Sequence, residues 1–317
     1  MSKKHAKHKP DSAPLHRRPS SAAWADEVGR SAKGSPGALD AHGWPQVAAP
    51  PGVVVCRPGG LCDLAAIDPD GPASSDGKEA AIEALGRERV RIRDLQERLY
   101  AEHRRSLLVV LQAIDTGGKD GTIRSVFEGV NPQGCRVWSF KTPSQEELDH
   151  DFLWRYHHHV PGRGMIGVFN RSHYEDVLIV RVKDLVPEPV WRARYGLIND
   201  FERLLAHSGT VVLKFLLHIS RDEQKERLES RLADPAKHWK FDPSDLVERR
   251  SWDAYQTAFQ DALTECSTAH APWYVVPANR KWFRNLVVAR TIADTLEAMD
   301  PRFPEPAHDL SGITVPD

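Results

Sequence analysis

A run of five apolar residues, Leu107 to Leu111, leads through Ala113, Ile114 and Asp115 into the stretch TGGKDGT, residues Thr116 to Thr122. Few folds accept this junction. A continuous apolar run is what a strand covered on both faces needs, and such strands belong to parallel sheets joined by helices. The glycines fall at the carboxyl end of the strand, and Thr122 to Val130 can start a helix. Backbone N–H groups and the positive helix end would then face one spot, where an anion is stabilised. The strict phosphate-loop pattern G-x-x-x-x-G-K-[ST] is missed twice. Ala113 stands at its first glycine, and Asp120 follows Lys119 where a hydroxyl would meet magnesium. The plain alternative is an ordinary strand-to-helix turn carrying a solvated lysine.

Downstream, apolar strand candidates at 107–114, 135–140, 165–169, 210–219 and 273–277 alternate with helical stretches. This predicts an α/β fold of three layers, a five-stranded parallel sheet with helices on both faces. Three helix starts carry the capping-box pair of a hydroxyl and a Glu three residues on: Ser144/Glu147, Ser172/Glu175 and Ser220/Glu223. From Gly77 to His103, Ile82, Leu85, Val90, Ile92, Leu95 and Leu99 have helical spacing, as an amphipathic cover helix requires. Residues 1–50, rich in Ser, Pro, Ala and Gly with a basic start, read as a disordered arm, 51–76 as an irregular lead-in and 301–317 as a tail. The catalytic domain is expected at 77–300.

Composition excludes several partners. Lys plus Arg total 43 against 44 Asp plus Glu, so no charge excess announces nucleic acid or a membrane surface. No apolar run approaches the roughly 20 residues of a membrane span, and a cytoplasmic location is expected. Cys56, Cys62, Cys135 and Cys266 form no C-x-x-C pair and suggest four reduced thiols rather than zinc or a disulfide framework.

In open α/β sheets ligands lie beyond the carboxyl ends of strands, so the chemistry should gather there. The first strand delivers Asp115, Gly117, Gly118, Lys119, Asp120, Gly121 and Thr122, the second ends at Lys141, and the third runs into FNRSHYED with Asn170, Arg171 and Glu175. Phosphoryl transfer needs alignment and cations around the moving group, roles that fit Lys119 and Arg171, with Asp115 as metal ligand. Asp115 also suits a turn after a strand, and Glu175 is either the capping-box acid or a catalytic one. Arg155 and Arg163 flank His157, His158 and His159; neighbouring histidines on a helix point in different directions, so a basic surface fits better than a metal site. Between the fourth and fifth strands a basic, proline-interrupted stretch at 231–250 holds Arg231, Lys237, Lys240, Arg249 and Arg250. It reads as a lid that closes over phosphates, or as a solvated hairpin with Trp239 packed beneath it.

The ordered set DTGGKDGT, VNPQGCRVWSFKTPSQEELDHDFLWR, GVFNRSHYEDVLIVRV, HWKFDPSDLVERRSWDAY and APWYVVPANRKWFRNLVV strongly resembles the polyphosphate kinase 2 family over residues of about 60 to 300. That family's own loop ends in Gly-Lys-x-Gly-Thr, which accounts for Asp120 and Gly121. The resemblance implies a P-loop kinase-like fold with a helical lid, in which Asp115 holds magnesium, or manganese in its place, and Lys119 and Arg171 meet the transferring phosphate. Many members have Asp where this chain has Asn170; the Asn form resembles the branch that acts on both nucleoside mono- and diphosphates. Lys141 and Arg155 resemble positions lining a polyphosphate channel, and Arg231, Lys237 and Lys240 resemble lid residues. The implied activity is reversible phosphate transfer between inorganic polyphosphate and AMP or ADP by a homo-oligomer, a dimer or tetramer. Two alternatives stay open: an ATP-dependent nucleotide or small-molecule kinase, and a non-enzymatic polyphosphate-binding or nucleotide-sensing module.

Overall fold

The computed structural model describes residues 47–72 and 77–316. The basic arm therefore lies, apart from its last four residues, outside the described residues. After strand β1 (Val54–Val55) come helix α1 (Gly77–Glu102), β2 (Ser106–Gln112), α2 (Lys119–Val126), β3 (Cys135–Ser139), the short α3 (Gln145–Leu148) and α4 (Trp154–His157), and β4 (Ile166–Asn170). The chain continues through α5 (Ile179–Val182), α6 (Glu188–His207), β5 (Thr210–His218), α7 (Arg221–Ala233), α8 (Ser244–Arg250), α9 (Trp252–Glu265), β6 (Trp273–Pro277) and α10 (Lys281–Met299). Residues 301–316 form neither helix nor strand.

The sheet has six strands in the order β1-β6-β5-β2-β4-β3. The five expected strands are present and parallel, and β1 adds an antiparallel edge through Val54 opposite Val275. The sheet is thus mixed, and the lead-in is partly structured. A two-residue strand is too short for periodicity to reveal. Every residue of β2, β4 and β6 is buried, as a sheet covered on both faces demands. Helices α1, α2 and α10 pack together in one layer, and α6 with α9 in another. Because β2 is central, the loop after it has β4 on one flank and β5 and β6 on the other.

The lead-in also overturns the expectation of four thiols. Cys56 and Cys62 form a disulfide with Cα atoms 5.3 Å apart, while Cys135 and Cys266 remain free. Arg57 and Gly60 close a turn that brings the chain back on itself, a local return that C-x-x-C counting does not register.

Of the three capping boxes, one is complete: Ser144 and Glu147 satisfy each other's backbone N–H groups. Ser220 accepts from the Glu223 amide, but the Glu223 carboxylate turns to Arg227 at 2.6 Å. Ser172 instead caps a single 3-10 turn, His173–Asp176, through the Tyr174 amide. That turn is too tight for Glu175 to reach back, and its carboxylate is left for the strand-end cleft.

Candidate functional site at the strand ends

The turn after β2 is closed by the Gly117 amide on the Ile114 carbonyl, 2.9 Å, and Gly118, with a left-handed φ of 101°, is the N-cap of α2. A Cβ on Gly117 would lie 2.4 Å from that of Ala113, so the two small residues are needed together. Within α2 the Thr122 amide bonds back to the Gly118 carbonyl. The N–H groups of the first turn, Gly118 to Gly121, have no preceding helical turn to bond to and form an anion-binding end. Thr122 is fully buried, and its hydroxyl donates to the Gly118 carbonyl at 3.1 Å.

Lys119 is buried beneath this turn, its Nζ donating to the Ala113 carbonyl at 2.9 Å. Burial, and then Arg171, lower its pKa. The ammonium is therefore poorly compensated and is stabilised by an arriving anion. Arg171 comes from the end of β4 with φ 63°, a left-handed conformation strained for a residue with a side chain. It donates to Asp115 Oδ1 at 2.7 Å. Burial works against the guanidinium charge, but Glu175 and Asp115 outweigh it and raise the pKa. Glu175 faces the same cleft, where burial raises its pKa against the pull of Arg171 and Lys119. Asn170 donates to Asp120 Oδ1 at 2.6 Å and to Ser139 Oγ at 3.3 Å. An aspartate in its place would set two carboxylates against each other.

The structure thus brings together Asp115, Lys119, Asp120, Asn170, Arg171 and Glu175. The channel candidates stand apart. The Arg155 guanidinium is engaged by the Lys141 carbonyl at 2.9 Å and by Glu147 at 3.2 Å, while Lys141 is exposed. His157, His158 and His159 pack on Phe201, Trp154 and Trp138, so the three imidazoles diverge.

In the 231–250 stretch, a 3-10 segment Pro235–Lys240 precedes α8. Arg231 bonds Asp245 and the Lys240 carbonyl, Lys237 pairs with Asp234 at 2.8 Å, and Lys240 lies over the Trp239 ring. Trp239 is 77 % exposed, so it is not packed beneath a hairpin. Its stretch has too few apolar neighbours to cover an indole. Asp245 and Tyr255, which bracket the turn from α8 to α9, lie close enough to Arg171 to favour its charge.

Sequence reasoning missed the residues that brace the loop. Gln224 donates to the Asp115 carbonyl at 3.0 Å, and Arg227 to the Thr116 carbonyl at 3.0 Å and the Ala278 carbonyl at 2.6 Å. The available signal was the position of α7 directly after a strand end. Also missed was a buried network behind the β4 turn. Lys214 Nζ meets Glu202 at 2.6 Å, the Tyr174 hydroxyl at 2.7 Å and the Cys266 carbonyl at 2.6 Å, and His173 meets Glu202 at 3.0 Å.

Residues 75–304 match the family model described as Polyphosphate kinase 2 (PPK2). A protein of Meiothermus ruber described as an AMP/ADP-polyphosphate phosphotransferase is 54 % identical over 251 residues, 79 % of this chain and 94 % of its own. An ADP-polyphosphate phosphotransferase of Rhodopseudomonas palustris is 46 % identical over 242 residues, 73 % of this chain and 84 % of its own. Among solved structures, polyphosphate kinase 2 from Arthrobacter aurescens superposes with a TM-score of 0.77 at 41 % identity, covering 83 % of this chain and 96 % of the other.

Proposed function

The chain belongs to the polyphosphate kinase 2 family, and we propose that its strand-end site moves phosphate between inorganic polyphosphate and AMP or ADP. The single observation that carries the site assignment is the placement of the loop lysine, Lys119, within electrostatic reach of a cleft lined by Arg171, Asp115 and Glu175. In the forward direction an oxygen of the nucleotide's terminal phosphate attacks the terminal phosphorus of the polymer. The bond to the penultimate phosphate breaks, and the chain leaves one unit shorter. Little of this needs a proton carrier; it needs alignment and charge neutralisation. Lys119 and the α2 amides hold the moving group, and Arg171, placed by its strained backbone, meets it from the β4 side. Glu175 and Asp115 keep Arg171 charged and aimed.

A divalent ion fits this donor set. Magnesium retains waters and takes only one or two carboxylates besides phosphate oxygens, and Asp115 engages Arg171 through Oδ1 alone. Asp115 would hold such an ion, magnesium or manganese in its place, and the ion would supply neutralisation of the phosphate oxygens. The neutral Asn170 beside Asp120 supports acceptance of both AMP and ADP, as the name of the Meiothermus ruber relative states for that protein. The lid stretch, tied to α7 by Arg231 and Arg249, supports closure over the bound phosphates and exclusion of water.

Donor substitution tests this reading. Purified protein given magnesium, polyphosphate and either AMP or ADP is expected to form the next higher nucleotide without ATP. Turnover of AMP with ATP alone, and none with polyphosphate, would instead identify an ordinary nucleotide kinase.

A further inference from the structure

Thr116, between Asp115 and the loop glycines, has φ 65°, a left-handed conformation strained for a residue with a side chain. Such a conformation persists only where its surroundings hold it. The Thr116 side chain gives no help, since its hydroxyl is buried without a hydrogen-bond partner among the described residues. The two peptide groups on either side of its Cα are held instead, both from α7. Gln224 Nε2 donates to the Asp115 carbonyl at 3.0 Å, and Arg227 Nη1 to the Thr116 carbonyl at 3.0 Å. The two side chains are three residues apart and so share one face of the helix. Because each peptide is planar, fixing the pair fixes the φ and ψ between them.

Gln224 has a second attachment. It is 1 % exposed, and its Oε1 accepts from Arg249 Nη1 of α8 at 2.8 Å. A guanidinium only donates and a carbonyl only accepts, so the amide has one usable orientation, with its oxygen toward the lid helix and its nitrogen toward the loop. Among the described residues, Gln224 is the one side chain hydrogen-bonded to both the 231–250 stretch and the phosphate loop. The other anchors of α8 end elsewhere: Glu248 on the Tyr255 hydroxyl at 2.6 Å and on Lys183, and Arg249 also on the Arg221 carbonyl at 2.7 Å. Lifting α8 away strands the buried Oε1, which costs free energy unless the amide turns and lets go of Asp115. Asp115 would then be held by Arg171 at its carboxylate and by nothing from α7 at its carbonyl.

We propose that Gln224 is a positioning residue that couples the lid helix α8 to the left-handed turn at Thr116, so that seating of α8 and placement of Asp115 for a divalent ion occur together. By linkage, whatever favours the placed Asp115 also favours the seated helix. The proposal deepens the site described above and rests on that reading for the role of Asp115.

The test uses the full chain and two readouts: hydrogen exchange of residues 113–118 without substrates, and the magnesium concentration giving half-maximal rate with ADP and polyphosphate. Arg249→Met cuts the link at the lid, and Gln224→Met cuts it on both sides. Gln224→Glu, ionised beside Arg249, keeps the lid contact and turns a carboxylate oxygen to the Asp115 carbonyl. Each variant should speed exchange at 113–118 by about fivefold, the scale of one lost hydrogen bond. Each should also raise the magnesium requirement by about tenfold, as loss of a group that orients a metal ligand does. The Gln224→Met/Arg249→Met double variant should be no worse than Gln224→Met alone, because both changes cut one link. Lys183→Met loosens α8 from α5 without touching that link and should leave both readouts as in wild type. Arg249 is only half-buried, so Arg249→Met decides the question even if a change at the buried Gln224 unfolds the chain. The proposal is overturned if Arg249→Met leaves exchange at 113–118 unchanged, if the two single effects multiply in the double variant, or if Lys183→Met reproduces them. A wild-type protein inactive with polyphosphate would remove the functional reading, while the exchange measurements, made without substrates, still decide the coupling.

Discussion

Lys119 is held under the loop by one carbonyl, with burial and Arg171 both working against its charge. Lys119→Ala removes that cation and leaves the backbone cradle. Its kcat should fall by at least about a hundredfold with an unchanged fold, the scale of losing one preorganised contact to a transition state. A near wild-type kcat would remove Lys119 from the chemistry. Asp115→Asn should raise the magnesium concentration needed for half-maximal rate, and an unchanged titration would take Asp115 out of the metal site. These residues were legible because strand, glycines and lysine occur in an order that only one local geometry accommodates. Arg227 and Arg284 were not. Each sits in a charged stretch where an arginine is ordinarily solvated, and only the packing of α7 and α10 brings Arg227 onto the Thr116 carbonyl and Arg284 against Gly118.

At the scale of elements, the β4 turn depends on a charge buried where sequence rules expect none. Lys214 interrupts the apolar run of β5, and its pairing with Glu202 fixes Tyr174 and His173 inside the turn that carries Arg171 and Glu175. Pattern reading placed the strand correctly but had no means of seeing the partner 12 residues earlier on α6. Burial alone would raise the Glu202 pKa; Lys214 and His173 together more than offset it, and the carboxylate is held below its ordinary 4.5. A depressed acid stabilises the folded state above its unfolded pKa and loses that contribution as pH falls through the folded one. Melting temperature should therefore drop as pH falls below 4.5, in part through this group. Glu202→Gln should cost about 3–5 kcal/mol near neutral pH by stranding Lys214, and should flatten the acid-side dependence. Equal stability of the two proteins at neutral pH would contradict the pairing. The lid has its own reporter. Trp239 is bare, so the emission difference between wild type and Trp239→Phe should shift when polyphosphate and ADP bind together. No shift would leave 231–250 a surface hairpin.

For the whole molecule, the parallel core and its ligand end followed from alternation alone, because buried strands and the helices between them have distinct periods. The antiparallel β1 edge and the Cys56–Cys62 disulfide did not, since both arise from a short segment whose partners are set by tertiary packing. The described core from residue 47 onward contains the sheet and both helical layers. Removal of residues 1–46 should accordingly leave the melting temperature and kcat near wild type; a large loss of either would assign that segment to the core. The central claim is that phosphate lost by the polymer is phosphate gained by the nucleotide, at the loop of Lys119. Phosphorus NMR of a single reaction containing magnesium, polyphosphate and AMP, with no ATP, measures both quantities at once. Wild type should lose polymer phosphate and gain nucleotide phosphate in equal amounts, and Lys119→Ala should do neither. Polymer loss that appears as free orthophosphate, or undiminished transfer by Lys119→Ala, would contradict it.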